Sequence, residues 1–354
     1  MADWISKLAP LDPCPIIQAP MAGAGGVDLA AAAMRGGAIG SLPCAMLKAE
    51  EVVRQAAALR AASSGPINLN FFCHVMPDRP DETAWRAKLA PYYAEYGLAK
   101  THADGPLRRP FDAAAAEAVI AVRPDIVSFH FGLPETKLMD AVRQSGARII
   151  ATATSIAEAR FLAETGVDAI IAQGWEAGGH RGNFLDEPAG SEMGLFALLP
   201  QIVDAVDVPV IAAGGISDGR GIAAAIMLGA SAVQIGSAYL ACAEATISAP
   251  HRELLESQAV NFTRFTNVMT GRDARGIGNR WMDEAGPLSD LAPAFPYAAS
   301  ALAPLRKAAE AKGAGDFSPM WSGQAYPLSP KGNADYITRK MADDAATRLK
   351  EVSS

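Results

Sequence analysis

The chain has 354 residues, half of them hydrophobic and 19% charged, which supports a large buried core and excludes a disordered chain. Its 31 lysines and arginines against 38 acids leave a net charge of -7 with no long basic block, so nucleic acid is not an expected partner. The length fits either two domains or one large α/β barrel with an accessory segment.

The amino-terminal stretch MADWISKLAPLDPCPI lacks the basic, apolar and small-residue order of a secretory signal. No apolar run reaches the roughly 18 residues that a membrane span requires. Four scattered cysteines (Cys14, Cys44, Cys73, Cys242) form no CxxC pair, so no metal site and no disulfide framework are expected, and a reducing cytoplasm is the simplest compartment. Downstream, short apolar runs bounded by Gly or Pro alternate with Ala-rich segments, the pattern of parallel strands joined by helices. Strands are predicted at 16–21, 38–42, 67–72, 126–131, 148–153, 169–174, 209–215 and 232–238, with helices including 49–62, 113–122, 155–164 and 218–228. Eight such strands predict a closed (β/α)8 TIM-type barrel, with an open doubly wound sheet as the alternative.

Two stretches break the rhythm. Residues 73–125 are longer than one crossover helix needs. Residues 241–315 contain no convincing strand and read as a helical lid, so the barrel is expected to comprise 1–240 plus 316–354, its last helix lying within 331–349.

In such a barrel the site is built at the carboxyl ends of the strands. Those ends are mostly neutral, without a lysine for Schiff-base chemistry or a carboxylate cluster for Mg2+. A large planar cofactor bearing a phosphate suits them. Gly214 and Gly215 after the seventh strand, and Gly236 with Ser237 after the eighth, offer amides and a hydroxyl to the phosphate; the bland reading is that they only make tight turns. Ala19, Pro20 and Met21 would pass beside a flat ring, whereas PMAGAGG fails the GxGxxG pattern at Asp28. In AQGWEAGGHRGNF, Gln173 can face a heterocycle edge, Gly178 and Gly179 allow close approach, and His180 is suited to general base work. His130 is a weaker candidate for lining the pocket, while His74, His102 and His251 read as surface or packing residues.

Taken in order, QAPMAGAGG, NFF, SFHFGLP, AQGWEAGGHRG, AAGGISDGRG and QIGSAYL resemble the nitronate monooxygenases, formerly called 2-nitropropane dioxygenases, over residues 14–284. The resemblance implies an FMN-dependent barrel with a helical second domain that oxidises alkyl nitronates, such as propionate 3-nitronate, with O2. It implies that Asn70, Gln173, Gly178, Gly215, Gln234, Ile235, Gly236 and Ser237 contact FMN. It also implies that His180 is catalytic, taking the α-proton of neutral nitroalkanes and helping to hold the anionic nitronate. Arg264, Arg272 and Arg275 are the lid cations that could join it; their bland reading is solvated loop charge. The expected partners are therefore a small nitronate or nitroalkane and O2, with a homodimer allowed. This chain departs from the family pattern at Ala24 to Asp28, in the lid segment GRDAR and in the tail WSGQAYPL. FMN-dependent enoyl-acyl carrier protein reductases and NAD(P)H:quinone reductases share the AGGH element and form the alternative, although Arg181 favours the nitronate branch. A barrel that binds phosphate without redox chemistry is the third reading.

Overall fold

A computed structural model describes residues 3–99, 107–186, 188, 190–257 and 263–353. Eight parallel strands form the barrel: β1 (Ile16–Gln18), β2 (Gly40–Pro43), β3 (Ile67–Phe72), β4 (Ile126–His130), β5 (Arg148–Ala153), β6 (Ala169–Gln173), β8 (Val210–Ala213) and β9 (Ala232–Ile235). β7 (Gly179–His180) lies in the loop after β6 and belongs to a separate sheet with β10 (Thr263–Thr266) and β11 (Ala274–Ile277). The barrel pairings are parallel throughout, and the ring closes where Gln18 donates to the Ile39 carbonyl at 3.0 Å and Ile39 to that of Ile16 at 2.9 Å. That closure removes the open doubly wound alternative.

Strand alternation divides the side chains between two environments. Ile17, Ile39, Ile126, Ile150, Ile171 and Ile211 fill the barrel interior, where Ile5 and Ala9 of the amino-terminal segment plug one end. The residues of opposite parity, among them Val127, Phe129, Ile170, Ala172 and Val233, pack outward against the helices. The sequence signals for those helices hold: 49–62 and 113–122 match residue for residue, and Ser155 and Asp218 cap the helices that follow them. The Ala334–Ser353 helix completes the outer ring, packing on the Gly219–Met227 and Val27–Arg35 helices.

The expectation of a purely helical 241–315 is corrected, since β10 and β11 form an antiparallel pair within it. Its hydrophobic residues also form a core with residues outside that range. Trp85, Leu89 and Tyr93 of the Thr83–Glu95 helix pack with Trp281, Leu302, Leu305 and Phe317. The surplus chain between β3 and β4 is thus explained: its helix covers an apolar face that the later segment cannot bury alone. Among the described residues no helix is long and apolar enough to cross a membrane, no group of three or more His, Cys, Asp or Glu side chains could hold a metal ion, and the four cysteines are unpaired. His102 lies outside the described residues.

Candidate active site

A cavity of about 290 Å3 opens at the carboxyl ends of the barrel strands. Inward parity at those ends aims Asn70, His130, Gln173 and Gln234 into it, one from each of four strands. Ala19, Pro20, Met21, Gly178, Gly179, Gly214, Gly215, Gly236 and Ser237 also line it, as does His180. Ile235 does not. It follows Gln234 with the opposite parity, and its side chain is buried against the helices. Only its main chain is left to meet a ligand there.

The loop after β6 is held from both sides. β7 pairs antiparallel with β11, setting His180 opposite Ala274, and Arg181 donates to the Asp273 carbonyl at 2.9 Å. From the barrel, the Gln173 amide donates to the His180 carbonyl at 3.0 Å, and the Gln173 carbonyl accepts from Gly182 at 2.7 Å. Gln173 therefore positions the histidine loop, a task the sequence did not reveal. His130 shares it. Its Nε2–H donates to the same His180 carbonyl at 3.2 Å, and its Nδ1 accepts from the Thr152 hydroxyl at 3.1 Å. Burial chiefly, then the charge of Arg272, pushes the His130 imidazole down to about 4 against the pull of that carbonyl, so it stays neutral. Gly182 must lack a side chain, because a Cβ there would sit 2.6 Å from the His130 ring.

Below the loop, the wholly buried Glu158 carboxylate accepts from Thr154 N–H at 2.7 Å and its hydroxyl at 2.9 Å, and from the Phe184 and Leu185 amides at 2.5 and 3.0 Å. Glu158→Ala would orphan all four donors, each costing roughly 1–3 kcal/mol when buried unpaired, so a loss of about 4 kcal/mol is expected after relaxation. Chemical denaturation checks this, and a midpoint like that of the wild type would mean that water replaces the carboxylate.

The His180 ring sits in an aromatic collar. The centroids of Phe295, Trp321, Phe131 and Phe72 lie 5.4, 5.6, 5.9 and 6.2 Å from its own. Its Nε2 lies 3.0 Å from the Thr270 hydroxyl, which donates onward to the Arg272 carbonyl at 3.3 Å. With that hydroxyl proton engaged, Thr270 accepts from Nε2–H, and Nδ1 carries the lone pair. Burial first, then the positive charges of Arg108 and Arg272, holds His180 well below its ordinary 6.5. The arrangement is a neutral imidazole with one basic nitrogen in a partly apolar pocket, capable of proton abstraction.

The opposite wall is rich in glycine. Gly214 and Gly215 take φ of +97° and +69°, a region that disfavours side chains, and Gly179 has open space where a Cβ would lie. Gly178 is required by protein packing instead, since a Cβ would meet the Gly323 amide nitrogen at 2.5 Å. The Ser237 hydroxyl accepts from that amide at 2.8 Å and keeps its proton to donate. Polar atoms without protein partners also border the cavity: Gln234 Oε1, Arg108 Nε and His251 Nε2. The Asn70 amide group donates to Ser128, leaving its Oδ1 as an acceptor. Amides at one end and unpartnered polar atoms along the wall suit a polar-edged ligand with an anionic tail.

The lid arginines are placed differently from expectation. Arg275 is buried beneath the sheet, over the Phe265 ring at 4.3 Å, and donates to the Trp175 and Thr263 carbonyls at 3.0 and 3.2 Å. Arg272 lies over the Phe131 ring at 4.2 Å and donates to the Asn183 carbonyl, and Arg264 pairs with Asp283 at 2.7 Å. None of the three lines the cavity, so the substrate-contact expectation for Arg272 and Arg275 is corrected: both tie the lid to the loops after the barrel strands. The cations on the wall are Arg108 and Arg306, neither singled out from sequence. His251 and His74 are buried rather than at the surface, and His251 reaches the cavity. Trp321, Gly323 and Ala325 of the tail segment return to it as well.

Comparison with known proteins places the chain in a family. The family model for nitronate monooxygenase matches residues 5–335. The nitronate monooxygenase of Paraburkholderia phytofirmans is 40% identical over 320 residues, covering 89% of this chain and 87% of that one. That of Pseudomonas aeruginosa is 38% identical over 355 residues, covering 97% and 99%. Among solved structures, nitroalkane oxidase from Streptomyces ansochromogenes superposes with a TM-score of 0.89 at 34% identity over the whole of both chains. FabK from Thermotoga maritima shares the fold, with a TM-score of 0.74 at 24% identity over 99% and 97%. With a histidine-bearing cavity at the mouth of its barrel and these matches along nearly its full length, the chain belongs to the nitronate monooxygenase family of oxidoreductases.

Proposed function

We propose that the chain is an FMN-dependent nitronate monooxygenase that oxidises alkyl nitronates, such as propionate 3-nitronate, with O2 to a carbonyl compound and nitrite or nitrate. The observation that carries this reading is the neutral His180, with Nδ1 as its basic nitrogen, on the same cavity as a glycine-lined anion cradle. The amides of Gly214, Gly215 and Gly236 with the Ser237 hydroxyl would hold the FMN phosphate. Asn70 Oδ1 and Gln234 Oε1 would meet the ring edge beside Ala19 to Met21. When bound, FMN supplies the electron acceptor for the substrate and the route from there to O2.

The chain's own residues then do the rest. His180 takes the α-proton of a neutral nitroalkane at Nδ1, while an already ionised nitronate needs no base. Thr270 holds Nε2–H, and Gln173 and His130 hold the main chain of His180, so the ring meets the substrate in one orientation. The collar of Phe72, Phe131, Phe295 and Trp321 excludes water and strengthens the electrostatic contacts inside it. The unpaired cysteine thiols suit a reducing compartment, and we place the enzyme in the cytoplasm with small molecules as its partners.

The test is anaerobic mixing of the FMN-loaded protein in separate cuvettes. Propionate 3-nitronate should bleach the flavin rapidly and NADH slowly. Rapid bleaching by NADH with none by nitronate would make the protein a reductase, and failure to take up FMN would leave a barrel without redox chemistry.

A further inference from the structure

Arg108 is a cavity residue that the proposed chemistry has not yet used. It lines the same cavity as His180, and both flank the Phe295 ring, the guanidinium carbon at 5.8 Å and the imidazole at 5.4 Å from its centroid. Its Nε is buried without a hydrogen-bond partner, and among the described residues no carboxylate pairs with it. A guanidinium keeps its charge at any physiological pH, and this one is half-buried at the cavity wall with its Nε cut off from solvent. An anion entering the cavity would meet that charge without a competing carboxylate among the described residues.

The other charges nearby are already engaged. Arg306, also on the cavity wall, is exposed and paired with Glu310 at 2.9 Å. Arg272 donates to the Asn183 carbonyl and, although its Nε is also buried without a partner, does not line the cavity. Glu176, the carboxylate on the wall, turns to the amide at the start of the Leu195–Ala205 helix, accepting from Leu195 at 2.8 Å. His74, in the aromatic cluster beside Arg108, is pushed down to about 4, first by burial, and adds no counter-charge. Among the described residues, the surroundings of Arg108 on the cavity are therefore apolar rings and neutral or cationic groups, a setting that favours an anion. Its planar fork of N–H donors matches the two oxygens of a planar anion, whereas an un-ionised nitro group is a weak acceptor.

We propose that Arg108 binds the anionic head of the substrate beside His180 and makes the cavity selective for ionised over neutral nitro compounds. This rests on the nitronate reading above. The test compares the FMN-loaded wild type with Arg108→Met and Arg108→Lys on a nitronate and on its neutral parent, and measures nitrate binding by calorimetry as a planar-anion probe. Arg108→Met should raise the KM for the nitronate about 10- to 100-fold, weaken nitrate by a similar factor, and leave the KM for the neutral parent within about threefold. Arg108→Lys, which keeps the charge but loses the fork, should recover part of both losses. An unchanged nitronate KM and nitrate affinity in Arg108→Met would overturn the assignment, as would equal KM increases for both substrates, the mark of a merely structural residue. If the wild type fails to oxidise nitronate, the functional reading falls instead, and the nitrate titration still decides whether Arg108 is an anion site.

Discussion

Replacing His180 with asparagine is expected to lower kcat/KM for a neutral nitroalkane by about 100- to 10,000-fold, the usual worth of a positioned general base. Turnover of the corresponding nitronate should fall by only about tenfold, because that substrate arrives without the proton and loses one polar contact alone. FMN content should be unchanged. The wild-type pH profile carries a companion signature. A base must be unprotonated to act, and burial together with the charges of Arg108 and Arg272 holds this imidazole well below 6.5. The acid limb of kcat/KM for the neutral substrate should therefore lie well below pH 6.5, with a level profile through neutrality. Equal losses on both substrates in His180→Asn would make the histidine structural, and a wild-type profile that falls through pH 6.5 would mean that its ring is solvated.

The second large effect concerns the cradle. Gly215→Val is expected to abolish FMN retention while the barrel still folds. A methyl group at Gly215 would meet the Glu176 side chain at an ordinary 3.6 Å, so contact with protein is not the obstacle. The obstacles are φ of +69°, which costs a β-branched residue about 1–3 kcal/mol, and the branch itself, which fills the space a phosphate needs beside the amide. Flavin absorbance after gel filtration, read alongside a thermal melt, separates loss of cofactor from loss of fold. A folded, FMN-replete Gly215→Val protein would place the phosphate elsewhere.

Much of the site could be read from the residues because it sits at strand ends, where period two and the βα-loop rule together say which side chains face the mouth. Asn70, His130, Gln173 and Gln234 follow from that rule, and so does the outward side chain of Ile235, which shares a motif with Gln234 but has the opposite parity. The lid was harder. β10 and β11 are four residues each, and the RGI of β11 and the TRFT of β10 carry no long apolar alternation. What makes them strands is mutual pairing together with contact to the two residues of β7. Arg272 and Arg275 looked like free cations because their acceptors are carbonyls far away in the chain, at Asn183 and Trp175.

By itself the sequence determined the eight-stranded ring, the glycine turns at its mouth and the single histidine in the AGGH loop, because these depend on local periodicity and backbone freedom. Only the tertiary structure decided which polar groups are already satisfied. Gln173 and His130 position the His180 loop, Thr270 selects the His180 tautomer, and Arg108 is left half-buried on the same cavity without a carboxylate partner among the described residues. These hydrogen bonds join residues from 7 to 90 positions apart, and the side-chain orientations that make them are set by the fold and not by a local pattern.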